Sequence, residues 1–437
     1  MLIYSPVVSP RLNYTLDLVF RSLLHIDFRV TDKREDIVSH KGACLNYSQE
    51  KIEGLPFLEA HGLLFEDSIR DQSENIHNGL FWDGLPVFFS AGKGSLLPFD
   101  LFSAVFYLVS RYEEYLPFEA DNHQRFHSGI SLSSRLGFLE EPIVDQWVLK
   151  FGQLLESYFP GAIKTEQGNF VYEPTIDIDN AWAFKHKGIL RTLGSVLRPG
   201  QSMETRNFRY QALRGKQQDP FDQYQKMERI HAEYGYQPRF FFLVGPYGKF
   251  DRNISPGNKS FRKLVGEIAG RNKTGLHPSY ASFSDPSAII QEKKILGQIT
   301  GQEINSSRQH YLRLRFPLTY QALLKAGIFT DYSMGYADRS GFRAGIAQPF
   351  HFFDLVNNNA TPLRVFPFQV MDTSLRDYEN CDPTLALKRI KSLMEKTRAV
   401  GGTFISLWHN ESFSEWSGWE GWTTVYREML NMAGKNI

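Results

Sequence analysis

The chain is 437 residues long, with 49 Lys and Arg against 48 Asp and Glu and a formal net charge of +1. That balance excludes a nucleic-acid binder driven by bulk charge and a polybasic membrane-surface protein. With 42% hydrophobic and 22% charged residues a long disordered chain is excluded too, and at roughly 150 residues per domain the length suits two or three domains, or a large barrel with an added module.

The opening Met1-Leu2-Ile3-Tyr4-Ser5-Pro6 lacks the basic and apolar segments of a secretory leader. No stretch reaches the ~18 to 20 apolar residues that span a bilayer, so the expected location is cytoplasmic, with no membrane contact. From Arg11 to Leu24 the spacing predicts a helix with Leu12, Leu16, Val19, Phe20 and Leu23 on one face. Leu85 to Phe89 suits a strand. Leu101 to Tyr112 predicts a second amphipathic helix with Phe102, Val105, Phe106 and Val109 inward. The Arg111-Tyr112-Glu113-Glu114-Tyr115 run reads as a solvated helix end before Pro117, with a functional charge cluster as the alternative. Together these describe a smaller α+β domain over residues 1–160, its role unassigned.

From about residue 168 to 437 apolar runs alternate with helical stretches. Strands are predicted at Phe170–Ile178, Arg239–Val244, Thr274–Pro278, Gln309–Leu314, Phe329–Ser333, Leu363–Val370 and Thr403–Trp408. Helices are predicted near 222–234, 259–269, 287–298, 318–326, 384–396 and 420–432. Asp382 followed by Pro383 is a start signal, a capping carboxylate before a residue that fits the first helical turn. Such alternation implies an α/β architecture with a parallel sheet, and about seven strands fit a distorted, incomplete (β/α) barrel. Cys44 and Cys381 are too few for a disulfide framework or a thiolate zinc site and read as buried or incidental thiols. Aromatics make up 14%, consistent with a ring-rich core or with sugar-stacking surfaces; Trp416, Trp419 and Trp422 read as anchors of the last helix.

Polar groups recur at the strands' C-terminal ends, where a barrel of this kind carries its active site. Asp177 and Asp179 share a face because strand side chains alternate. Two carboxylates there repel unless a cation or proton separates them; one could ligate a divalent metal while the other acts as general base. A solvated strand end uses the same residues. His277 closes the third strand and could ligate a metal. Arg308 and His310 share a face of the fourth strand, so Arg308 could hold a carboxylate ionised and His310 could complete a metal site or bind substrate. His409 ends the last strand, placed for general-acid work.

With these residues assembled, the sequence resembles the polysaccharide deacetylase superfamily, the fold of carbohydrate esterase family four, over residues 168 to 435. It resembles especially a branch with a separate N-terminal domain. The resemblance implies Asp177 as general base and Asp179 as metal ligand from Thr175-Ile176-Asp177-Ile178-Asp179, and His277 as ligand from Gly275-Leu276-His277. The family's second metal-binding His, four residues on, is Ala281 here. His310 is the leading replacement; Tyr280 and Ser282 could hold water or substrate instead. For the Arg that pairs with the catalytic Asp, both Arg308 and Arg343 (in Gly341-Phe342-Arg343-Ala344-Gly345) match. Leu407-Trp408-His409 implies His409 as catalytic acid.

The resemblance implies a hydrolase of a non-peptide C–N amide, a metal-assisted, zinc-dependent N-deacetylase acting on an N-acetylated sugar or polysaccharide. The implied partner is a carbohydrate substrate, with no nucleic acid. Two alternatives stay open: a metal-independent hydrolase of another amide in the same superfamily, and a catalytically silent barrel that binds a glycan or a partner.

Overall fold

The computed structural model describes residues 1–188, 191–192 and 202–434; residues 189–190, 193–201 and 435–437 of the 168–437 range lie outside the described residues. The N-terminal part holds a parallel sheet ordered β2-β1-β3-β4, made of β1 (Leu2–Tyr4), β2 (Arg29–Thr31), β3 (Cys44–Ser48) and β4 (Phe57–Glu59). Strands this short show no periodicity in sequence. A small antiparallel pair follows, β5 (Phe81–Trp82) with β6 (Leu85–Pro86), shorter than the strand predicted at Leu85–Phe89. Ser9 caps a helix at Pro10–Leu16 by accepting from the Leu12 N–H, and a π-helical stretch, Asp17–Leu23, continues it. Leu12, Leu16, Val19, Phe20 and Leu23 are all buried, the face the spacing predicts. The Leu101–Val109 helix is instead buried on every side.

The charged run after that helix is not solvated. Arg111, Glu113 and Glu114 are buried, and Arg111 donates to Glu113 Oε1 and to Glu114 Oε1 at 2.8 Å each. The chain turns back at Arg111, with φ at 54°, and drives the run inward against the barrel.

The larger sheet has nine strands in the order β12-β13-β11-β10-β9-β8-β7-β15-β14. In chain order they are β7 (Val171–Ile178), β8 (Arg239–Leu243), β9 (Lys273–His277), β10 (Ser306–Ser307), β11 (Thr330–Asp331), β12 (Phe350–Asp354), β13 (Asn359–Val365), β14 (Val370–Met371) and β15 (Thr403–His409). All neighbours are parallel except the β12–β13 hairpin. The Leu363–Val370 strand is two strands, one at each side of the sheet. β13 pairs with β11, the chain crosses through Phe366–Gln369, and β14 pairs with β15. Phe366 N–H donates to the Asp331 carbonyl and Gln369 N–H to the Ile405 carbonyl, so one short segment draws the two sides of the half-barrel together. The predicted strand Gln309–Leu314 does not form. Only Ser306–Ser307 pairs, because Tyr311 and Leu312 take φ of 60° and 55°, which no strand accommodates.

Alternation sorts the sheet's two faces. Ile176, Phe240, Phe242 and Trp408 point outward under the helices into the main core, each removing an apolar side chain from water for about 1.5–3 kcal/mol. Phe241, Ile405 and Leu407 point inward and meet Tyr332 and Phe368. Gly275 is required opposite them: a Cβ there would lie 2.5 Å from the Phe241 ring. The helices Tyr224–Tyr234, Lys259–Ala269, Ser287–Thr300, Leu318–Lys325, Pro383–Ala399 and Trp422–Gly434 match the predicted positions. Asp382 accepts from Leu385 N–H with Pro383 opening its helix. Trp422 opens the last helix and Trp419 shortly precedes it, both buried, and both cysteines are buried free thiols. No helix among the described residues is long and apolar enough to cross a membrane.

The two parts share one core. Helices Leu101–Val109 and Ile143–Tyr158 press on Gly345, where a Cβ would stand 3.0 Å from Leu108 Cδ1, and Val144 N–H donates to the Gly345 carbonyl at 2.9 Å.

Candidate active site

The register of the sheet brings the candidate residues to one end. His409 pairs with Asp177 across β15 and β7, Asp177 with Phe241 across β8, and Leu243 with His277 across β9. Asp177, Asp179, His277, His310 and His409 line a pocket of about 390 Å³ at the strands' C-terminal ends, within the usual range for ligand sites.

Asp177 is buried beside Arg308, whose Nη1 donates to Asp177 Oδ1 at 2.8 Å and to Thr175 Oγ1 at 2.7 Å. Arg308 Nε donates to the Tyr332 carbonyl at 3.0 Å, and the guanidinium lies 4.7 Å from the Phe241 ring centroid. The other candidate, Arg343, is directed elsewhere. Its Nε and Nη2 donate to Glu114 at 3.0 and 2.5 Å and its Nη1 to the Gly335 carbonyl, so it belongs to the buried cluster between the two parts.

Three histidines face Asp179. Nε2 of His277 lies 3.1 Å from Oδ1, and Nε2 of His310 and His409 lie 3.4 and 3.8 Å from Oδ2. The far nitrogens of these rings fix their protons. His277 Nδ1 sits against the Arg308 carbonyl and so carries a hydrogen; His310 Nδ1 donates to Asp251 Oδ1 at 2.8 Å. In their neutral forms both rings therefore turn a bare Nε2 toward the carboxylate. Asp179 Oδ1 is buried without a hydrogen-bond donor. Acceptors facing acceptors need a cation or a proton between them, and one ligand atom each from Asp179, His277 and His310 lies within 4.8 Å of the others. Two imidazoles and a carboxylate, with the imidazoles oriented from behind, form a donor set that fits a divalent transition ion such as zinc. Without an ion, burial pulls His310 down, but Asp179 and Asp251 outweigh it and raise its pKa to about 9. Burial pushes Asp179 up, and His310 and His277 hold it well below the usual carboxylate range.

His409 has its own carboxylate. Asp372 is fully buried, accepts from His409 Nδ1 at 2.8 Å and from the His409 backbone N–H at 2.7 Å, and is held by Ser412 Oγ. Burial lowers His409; Asp372, with Asp179 and Asp177 behind it, carries the imidazole well above its ordinary range. Glu411 lines the same pocket, and burial pushes its carboxyl up to about 7 against the pull of His409.

Ala281 sits on a short turn, Tyr280–Phe283, and faces solvent. Tyr280 stacks on Phe250 with ring centroids 4.2 Å apart, and Ser282 Oγ donates to the Ser279 carbonyl; neither lines the pocket. The sequence reading missed Asp251, Asp372 and Arg125. Asp372 directly follows a strand, so the rule that polar residues cluster at strand ends flags it once β13 and β14 are separated; Asp251 and Arg125 stand in loops with no such signal.

Residues 1–160 match the model of a family of unknown function, DUF7033. Over about 60% of its length the chain is similar in structure to polysaccharide deacetylases. One is a polysaccharide deacetylase from Bacillus cereus, at 12% identity over 60% of this chain and 87% of that one, with a TM-score of 0.30. Another is a family 4 carbohydrate esterase from Streptomyces lividans in complex with acetate, at 9% identity over 61% of this chain and 88% of that one, with a TM-score of 0.30. A third, a pseudoenzyme of that family from Bacillus anthracis, has 12% identity over 60% of this chain and 62% of that one, with a TM-score of 0.30. At such distances a likeness concerns the fold and does not decide activity. A comparison with curated proteins finds no match.

Proposed function

We propose that the chain is a hydrolase of a non-peptide C–N amide, a metal-assisted N-deacetylase of an N-acylated sugar. The observation that carries this reading is the convergence of a carboxylate on an arginine, an Asp-His-His set and a carboxylate-backed histidine on one pocket. Asp179, His277 and His310 would hold the ion. Bound there, a zinc-like cation supplies Lewis acidity to the acyl carbonyl and to the attacking water.

The chain's own groups move the protons. Asp177 Oδ1 is engaged by Arg308, and Oδ2 is left to accept a proton from water as the oxygen attacks the acyl carbon. His409 is held by Asp372 through Nδ1, so the proton on Nε2 is the one that reaches the sugar nitrogen as the C–N bond breaks. Acetate and a free amine are the products.

The test is acetate release from N-acetylglucosamine oligomers by the metal-loaded protein. Asp177→Asn and His409→Ala are each expected to lower kcat by about 100-fold or more, the usual scale for a general base or acid, with unchanged far-UV circular dichroism. Turnover near the parent level in either variant would overturn these roles. Full turnover by protein stripped of metal would move the reading to a metal-independent amide hydrolase. Position 310 counts against that alternative, because it restores the donor that Ala281 does not provide.

A further inference from the structure

We propose that this site takes an N-acyl substrate carrying an oxyanion, a carboxylate or a phosphate, and that the N-terminal part reads that group through Arg125 beside Arg252 of the barrel. This rests on the hydrolase reading for the pocket and adds the charge of its substrate.

Residues 121–128 belong to the N-terminal part but are bonded into the barrel wall. Arg125 Nη1 donates to the Tyr311 carbonyl at 3.0 Å, Arg313 Nε to the His123 carbonyl at 2.8 Å, and Ser128 Oγ to Asp338 Oδ2 at 2.7 Å. Tyr311 directly follows His310, so Arg125 is fastened one residue along from a proposed ligand. Asp121 Oδ2 accepts from Arg125 Nε at 2.7 Å, which completes the orientation of the fork. The remaining nitrogen, Nη2, makes no hydrogen bond among the described residues, and Arg125 lines the pocket. Arg252 lines it too. Its Nε donates to the Lys249 carbonyl at 3.3 Å, and among the described residues no carboxylate pairs with it.

The pocket's own carboxylates are largely compensated. Asp177 has Arg308 at 2.8 Å, Asp179 has His277 at 3.1 Å and two further histidines, and Asp377 is forked by Arg376 at 2.6 and 2.9 Å. Glu411 is the exception, and it stands on the His409 side. The wall made by Arg125 and Arg252 thus offers planar cationic donors to a substrate group, and charge-assisted bonds to carboxylate or phosphate oxygens are the strong interaction available to them.

The experiment measures binding by calorimetry, and acetate release in parallel, for N-acetylglucosamine, an N-acetylglucosamine phosphate and N-acetylmuramic acid, which carries a carboxylate. At least one charged sugar is expected to bind about 10-fold or more tightly than the neutral one, on the scale of a charge-assisted contact, and the charged arm that binds identifies the oxyanion. That ratio is expected to collapse in Arg125→Gln and in Arg252→Gln, the second at an exposed position that does not test folding, and to shrink as salt is raised. Equal binding of all three sugars, or an unchanged ratio in Arg252→Gln, would overturn the proposal while leaving deacetylation standing. Selective binding of a charged sugar with no acetate from any of the three would sink the deacetylase reading and leave this one. Neither binding nor release would sink both.

Discussion

Arg308 makes three hydrogen bonds from inside the barrel, to the Tyr332 carbonyl, Thr175 Oγ1 and Asp177 Oδ1, against the face of Phe241. A lysine cannot reproduce this, since one ammonium nitrogen cannot stand in for the separated Nε and Nη1 donors and has no planar face to lay on a ring. Arg308→Lys is therefore expected to lower kcat by roughly 100-fold, with a smaller change in KM, because the proposed base, Asp177, loses its fixed counter-charge. Steady-state kinetics beside a melting curve checks this. Asp251 acts at one remove, by holding the His310 proton on Nδ1. Asp251→Asn leaves the ring unfixed and is expected to weaken metal binding by about 10- to 100-fold, the cost usually seen when such an outer partner is lost. Competition with a chromophoric chelator reads that loss without any substrate.

At the scale of elements, Asp177, His277 and His409 were legible because each lies within one residue of a strand's C-terminal end, where a barrel of this kind gathers its polar groups. The face shared by Arg308 and His310 was read from a strand that does not exist. Both still reach the pocket, because Arg308 N–H bonds to the Leu276 carbonyl and His310 N–H to the Pro278 carbonyl, which continue the ladder with β9 for two more steps. The helix Ile143–Tyr158 carries a different kind of message. Its Asp145 is buried; Oδ2 accepts from Ala347 N–H at 2.8 Å, Oδ1 has no partner, and burial pushes the carboxyl from 3.8 up to about 7. The folded state thus holds a proton that the unfolded state releases between about pH 4 and pH 7. Stability from this group falls as pH rises through that window and is level above it. Asp145→Asn keeps an acceptor for Ala347 and removes the charge. The variant is expected to be more stable than the parent at pH 8, by up to about 4 kcal/mol, with the gain vanishing near pH 4; calorimetric melts across that range check the sign.

At the scale of the whole molecule, the seam between the parts is an ionic cluster rather than a polar film. Glu114 receives Arg111 at 2.8 Å and Arg343 at 2.5 Å with all three side chains buried. Glu114→Gln strands the buried Arg343, which has no other carboxylate among the described residues, and leaves Arg111 to Glu113 alone, a change that typically costs about 3–5 kcal/mol. Because the core is continuous, that loss is expected to lower one cooperative transition in calorimetry and not to split it in two. None of this was legible: the charged run reads as surface when its neighbours in space are more than two hundred residues away in sequence. The β12–β13 hairpin is local, with Phe353 paired to Ala360, and was missed because neither strand alternates cleanly; the division of one apolar stretch between opposite sides of the sheet depends on partners, β11 and β15, that lie far apart in sequence. That division has a mechanical meaning. The crossing at Phe366–Gln369 works as a buckle on an open hoop, and the next polar residue beyond the buckle is Asp372, the brace of His409. The orientation of the proposed acid, His409, is thus tied through Asp372 to the closure of the sheet, whereas His277 and His310 are held from the β9 side.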